Sequence, residues 1–118
     1  MKHNFLLMAF IALFVGTFSS CKKDEVISYP NLYVVNGTDY SADVYCDNHL
    51  VATAGAHNNS GKVVLANTSV NMPVYVEVNF YDKKGTKVGA YHWDSFSFRW
   101  NTSYKMTLTS SGGKLQKL

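Results

Sequence analysis

Downstream of residue 30 the chain alternates between short runs with apolar residues at every second position and polar clusters rich in Gly, Asn, Asp and Ser. The clearest run covers residues 73–82, where Val74, Val76, Val78 and Phe80 alternate with Tyr75, Glu77, Asn79 and Tyr81. A period of two puts the first set on one face of a strand and the second on the other, so this segment predicts a half-buried strand. Residues 95–101 repeat the pattern, with Phe96, Phe98 and Trp100 opposite Ser95, Ser97 and Arg99, and residues 102–109 carry Tyr104, Met106 and Leu108 in register. Weaker runs at 31–35, 41–46, 49–54, 62–66 and 86–93 predict further strands, and 114–118 a terminal one. Asn36-Gly37, Asp47-Asn48, the loop 82–85 and the stretch 110–113 read as turns, and residues 55–61 as a polar loop. No segment holds a helical period. Seven to eight short strands at regular spacing predict an all-β domain over residues 31–118. The expected architecture is a single antiparallel β-sandwich of immunoglobulin-like or transthyretin-like type, with a small barrel as the other closure.

The first 20 residues follow another pattern. Lys2 and His3 precede an uninterrupted apolar run at 5–15, and small polar residues then lead to Cys21. This order is that of a cleaved secretory signal helix, too short for the roughly 20 residues that span a bilayer. Ser19 and Ser20 before Cys21 resemble the lipobox of bacterial lipoproteins, with Phe18 where that family usually has Leu. The resemblance implies a diacylated Cys21 as the mature N-terminus and a membrane partner through that lipid anchor. Lys22, Lys23, Asp24 and Glu25 resemble the surface-export signal of Bacteroidetes lipoproteins, implying an outer-membrane protein facing outward. Read without the resemblance, these four residues are a solvated tether. Residues 21–30 together reach at most about 30 Å at ~3.3 Å per residue, which holds the domain close to the membrane. The stretch 32–47 is also similar to the opening of a bacterial extracellular β-domain family of unknown function. That similarity implies a fold and no activity.

Composition narrows the remaining choices. Lys and Arg number 11 against 8 Asp and Glu, and no basic run forms a nucleic-acid footprint, so no nucleic-acid partner is expected. With Cys21 acylated, Cys46 is left alone. It shares a strand face with Ala42 and Val44, which predicts a buried, inert thiol. Without the lipid, a bridge between Cys21 and Cys46 stays open.

Catalytic chemistry finds little support. Cys46 and Asp47 point to opposite faces, which argues against a nucleophile and base with His49. His49, His57 and His92 lack ligand spacing, and Asp39, Asp43 and Asp47 lack the glycine-bearing loop of a calcium site. No metal, cofactor or nucleotide motif is expected, and the chain reads as a non-enzyme. The sequons at Asn36, Asn58, Asn67 and Asn101 read as turn chemistry. Aromatic residues are the surplus feature. Most belong in a core, but Tyr75 and Tyr81 fall on a polar face, and Tyr91 and Trp93 share a face opposite Val88 and Ala90. Tyr91 and Trp93 beside Asp94, Arg99 and Asn101 suggest a binding module, with a glycan as ligand. The alternative is an accessory or inhibitor lipoprotein that docks on a protein partner.

Overall fold

A computed structural model describes residues 26–118, and the signal helix, the lipidated Cys21 and the charged tether expected from the sequence lie outside the described residues. The described chain forms eight strands: β1 (Asn31–Asn36), β2 (Ser41–Cys46), β3 (His49–Ala54), β4 (Asn59–Val64), β5 (Pro73–Tyr81), β6 (Lys87–Ser97), β7 (Ser103–Thr109) and β8 (Gly112–Lys117). They make two four-stranded sheets, ordered β4-β1-β7-β8 and β3-β2-β5-β6. Sequential hairpins β2-β3, β5-β6 and β7-β8 stay within a sheet, and the other connections cross between sheets. The result is the expected β-sandwich.

One pairing departs from an all-antiparallel arrangement. β1 runs parallel to β7, with Leu32 opposite Tyr104 and Val34 opposite Met106. Both strands thus bring their apolar alternates to the same layer. Leu32, Val34, Met106 and Leu108 on one sheet face Val44, Val76 and Val78 on the other, all fully buried. The alternation read from residues 73–82 is realised here, because β5 buries each of Val74, Val76, Val78 and Phe80. Cys46 lies in the same layer, 2% exposed, and is a free thiol.

Two local details differ from the sequence reading. The polar loop expected at 55–61 is shorter, because β4 begins at Asn59. The Ser60 hydroxyl accepts the Val34 N–H at 2.9 Å, so a side chain takes a ladder donor where the β1–β4 register shifts. Residues 87–97 form one strand where two were expected. The register slips between Val74 and Val76, so that Val76 faces Trp93 and Val74 faces Phe96. The extra residue is a bulge: Asp94 and Ser95 are both exposed, and the inward phase resumes at Phe96.

The two ends of the sandwich differ. At one end Phe96, Phe98 and Tyr104 pack edge to face, with ring centroids 5.0–5.5 Å apart. Each such pair adds about 0.5–1.5 kcal/mol beyond area burial. The N-terminal segment is clamped there: Asn101 accepts from the Ser28 N–H and hydroxyl at 2.7 and 2.9 Å, and its own N–H donates to Ser28 O. The chain from the tether therefore enters at this end. The opposite end carries the β1–β2, β3–β4, β5–β6 and β7–β8 turns.

Candidate functional site

The end remote from the tether holds a cleft of about 370 Å³, lined chiefly by Asp39, Tyr40, Phe80, Gly89, Tyr91 and Ser110. Its floor follows from strand phase. Val76 and Val78 are buried and stand opposite Trp93 and Tyr91, so those rings also turn inward. Gly89, opposite Phe80, continues the same inward row toward the end of the sheet. A side chain at Gly89 would close the mouth of the core, and a Cβ built there meets nothing within 4 Å. The position lies beside the second register shift of the β5–β6 pair, between Phe80 and Tyr81. Glycine inside a strand marks a bulge or a place where a ligand or another backbone approaches closely.

The walls are held by hydrogen bonds. The Tyr91 hydroxyl donates to Thr109 O at 2.9 Å, and its ring meets Phe80 edge-on at 5.1 Å. The other wall is the β1–β2 turn, built around buried Asn36. Its Nδ2 donates to Tyr40 O at 2.7 Å and Gly55 O at 3.0 Å, while Oδ1 accepts from the Thr38 N–H and hydroxyl at 3.0 and 2.7 Å. This network fixes the backbone that carries Asp39 and Tyr40. Tyr40 is exposed, and the exposed Asp39 carboxylate contacts His57 Nε2 at 2.5 Å. The cleft thus offers two tyrosine rings, a carboxylate and hydroxyls around an apolar floor.

The five residues proposed from sequence do not meet in one place. Tyr91 lines the cleft. Trp93 is half-buried against the core, where a Cβ on Gly113 would come within 3.2 Å of its Cη2. Asp94 sits on the outer face of the sheet, 3.3 Å from His92 Nε2. Arg99 and Asn101 lie at the tether end, where the Arg99 N–H donates to the Tyr104 hydroxyl at 2.9 Å. The sequence reading weighed Asp39 only as a calcium ligand and passed over Tyr40 and Gly89. Gly89, isolated inside a strand pattern, was the available signal.

The outer face of β3-β2-β5-β6 carries half-buried Tyr45, Tyr75 and Tyr81 among Asp43, Glu77 and Asp94. Desolvation, then the charges of Glu77 and Asp94, raises the Tyr75 phenol above its usual pKa. The Tyr45 phenol is raised chiefly by desolvation, then by Tyr81, Asp43 and Glu77. Tyr75 stacks on His92 at 5.8 Å and 28°, which takes up one face of each ring.

Cys46 has the environment expected of an inert thiol. Burial pushes it up to about 12, and the charge of Asp47 adds to the rise. The neighbouring Thr68 hydroxyl pulls the other way, yet Thr68 Oγ1 is buried without a hydrogen-bond partner among the described residues. The contact is therefore too loose to count as a bond. A second cleft of about 380 Å³ beside Thr68 is lined by His49, Leu50, Val51 and the 64–67 segment, and brings no carboxylate. Among the described residues, no group of three His, Cys, Asp or Glu side chains is placed to hold a metal ion. No protein-family model matches the chain, and no curated protein matches it.

Proposed function

We propose that this chain is a lipoprotein anchored through Cys21 to the bacterial outer membrane and facing outward. Its sandwich is a non-catalytic glycan-binding module, and the sugar site is the cleft around Gly89. The observation that carries this reading is the vacancy over Gly89, flanked by Tyr40 and Tyr91 and edged by Asp39 and Ser110. A pyranose has apolar C–H faces and a polar hydroxyl rim. Tyrosine rings suit the faces, and a carboxylate and hydroxyls suit the rim. The volume falls at the lower end of the ~300–1,000 Å³ range of small-molecule sites, enough for a mono- or disaccharide. The position supports the same reading, since the cleft opens at the end opposite the one the tether enters.

Two experiments test it. Mass spectrometry of the mature N-terminus should find an acylated Cys21, lost in Cys21→Ala; any other N-terminus removes the anchor. A glycan array should show binding that Gly89→Leu weakens by roughly tenfold or more, about 1.4 kcal/mol or beyond. Gly89 does not sit at positive φ and a Cβ built there meets nothing within 4 Å, so a side chain can start there without backbone strain. Equal binding by Gly89→Leu would remove the cleft from the account.

A further inference from the structure

Large apolar side chains that remain exposed are unevenly placed. Tyr40 and Val88 line the cleft; the others, led by Ile27, Met72, Trp100 and Leu118, lie at or toward the tether end. Backbone bonds gather them. Asn71 N–H donates to Phe98 O at 2.6 Å, Asn101 N–H to Ser28 O at 2.9 Å, and Leu118 N–H to Ser103 O at 2.9 Å. Tyr29 and Trp100 form a tilted ring pair with centroids 5.3 Å apart, both partly in solvent. Exposed Arg99 stands beside them. Among the described residues, two acidic side chains lie toward this end: Asp47 Oδ1 accepts the Tyr75 N–H at 2.9 Å, and Asp94 lies 3.3 Å from His92 Nε2.

We infer that this end of the sandwich is a second membrane contact, resting on the lipid headgroup region beside the anchor. Trp and Tyr rings concentrate at membrane–water interfaces, where an apolar body and a polar tip are both satisfied. Arg99 can lay its stem along apolar surface and keep its head among phosphates. The location selects a lipid surface over a protein partner. The tether enters at Ser28, beside the aromatic pair, and is at most about 30 Å long from Cys21 to Pro30. Any membrane that holds the N-terminus is therefore within reach of this patch. The contact would fix the orientation of the domain, with the cleft directed away from the bilayer. The inference rests on the proposed N-terminal attachment.

The test uses the full chain carrying Trp93→Phe, which leaves Trp100 as its one tryptophan, on phosphatidylglycerol–phosphatidylcholine vesicles. Flotation reports attachment, and lipids brominated near the headgroup report ring depth. Trp100 emission should shift to the blue and fall about twofold or more with shallow bromine, as for an interfacial ring. A reporter at the far end, Tyr40→Trp in a chain also carrying Trp93→Phe and Trp100→Phe, should stay unquenched. A chain that floats while Trp100 keeps solvent-like emission overturns the docking and spares the anchor. Equal quenching of both reporters overturns it too, and failure to float overturns docking and anchor together.

Discussion

Thr68 presents a buried hydroxyl without a partner among the described residues, next to the buried thiol of Cys46. Thr68→Val keeps the shape and removes the hydroxyl. An unsatisfied buried polar group costs about 1–3 kcal/mol, so the valine should stabilise the fold by roughly 1 kcal/mol or somewhat more. For a domain of this size that corresponds to a Tm rise of about 4–8 °C. Cys46→Ser gives the complementary case. It places a second hydroxyl in the same pocket, at a burial cost of about 1–3 kcal/mol. Here the new hydroxyl can bond Thr68 Oγ1 and recover about 0.5–1.5 kcal/mol. The sign of Thr68→Val should therefore reverse between backgrounds, stabilising with Cys46 and destabilising with Cys46→Ser. Urea unfolding of the four proteins in a double-mutant cycle measures this directly. Destabilisation by Thr68→Val in the presence of Cys46 would show that the hydroxyl is already satisfied, and would refute the argument.

Other outcomes follow from the same structure. Asn36→Ala strips a buried side chain that bridges the β1–β2 and β3–β4 turns, so it should cost about 3 kcal/mol in denaturant unfolding and weaken glycan binding. Asn101 sits at φ 57, where an alanine is strained, so Asn101→Ala should cost about 1–2 kcal/mol. Asn101→Gly should cost less, yet both should free the 26–29 segment to proteolysis. Native Cys46 should react with a maleimide only as fast as the domain opens. Its pKa is raised from 9.0 to about 12, so the contribution to stability is fully present below pH 9 and declines as pH rises toward 12. Cys46→Ala should flatten that alkaline decline in a pH series of urea melts, and an unchanged slope would contradict it.

Much of the sandwich is legible in sequence because one face of each strand is buried. A period of two is then imposed on the residues, as Val74 to Phe80 show most plainly. What fails to show is whatever depends on partners distant in the chain. The parallel pairing of β1 with β7 is one case, since nothing in either strand names its neighbour. The bulge at Asp94 and Ser95 is another. It shifts the alternation by one residue, so that one strand reads as two and Trp93 is separated from Phe96. The site was half legible for the same reason. Tyr91 could be singled out as an aromatic of interest, but its neighbours Asp39, Tyr40 and Ser110 come from turns that only the folded end brings together. Asp94, Arg99 and Asn101 are near Tyr91 in sequence, yet β6 places Asp94 on the outer face, and Arg99 and Asn101 follow its last residue, Ser97, at the tether end.

The central claim is that a sugar occupies the cleft over Gly89. An amide-resolved NMR titration with a glycan selected on the array tests it most directly. The account predicts saturable shifts confined to Thr38, Asp39, Tyr40, Gly89, Ala90, Tyr91, Thr109 and Ser110, all lost in Gly89→Leu. Shifts centred on Asp43, Glu77 and His92, or on Arg99 and Asn101, would contradict it, as would a spectrum that no glycan perturbs.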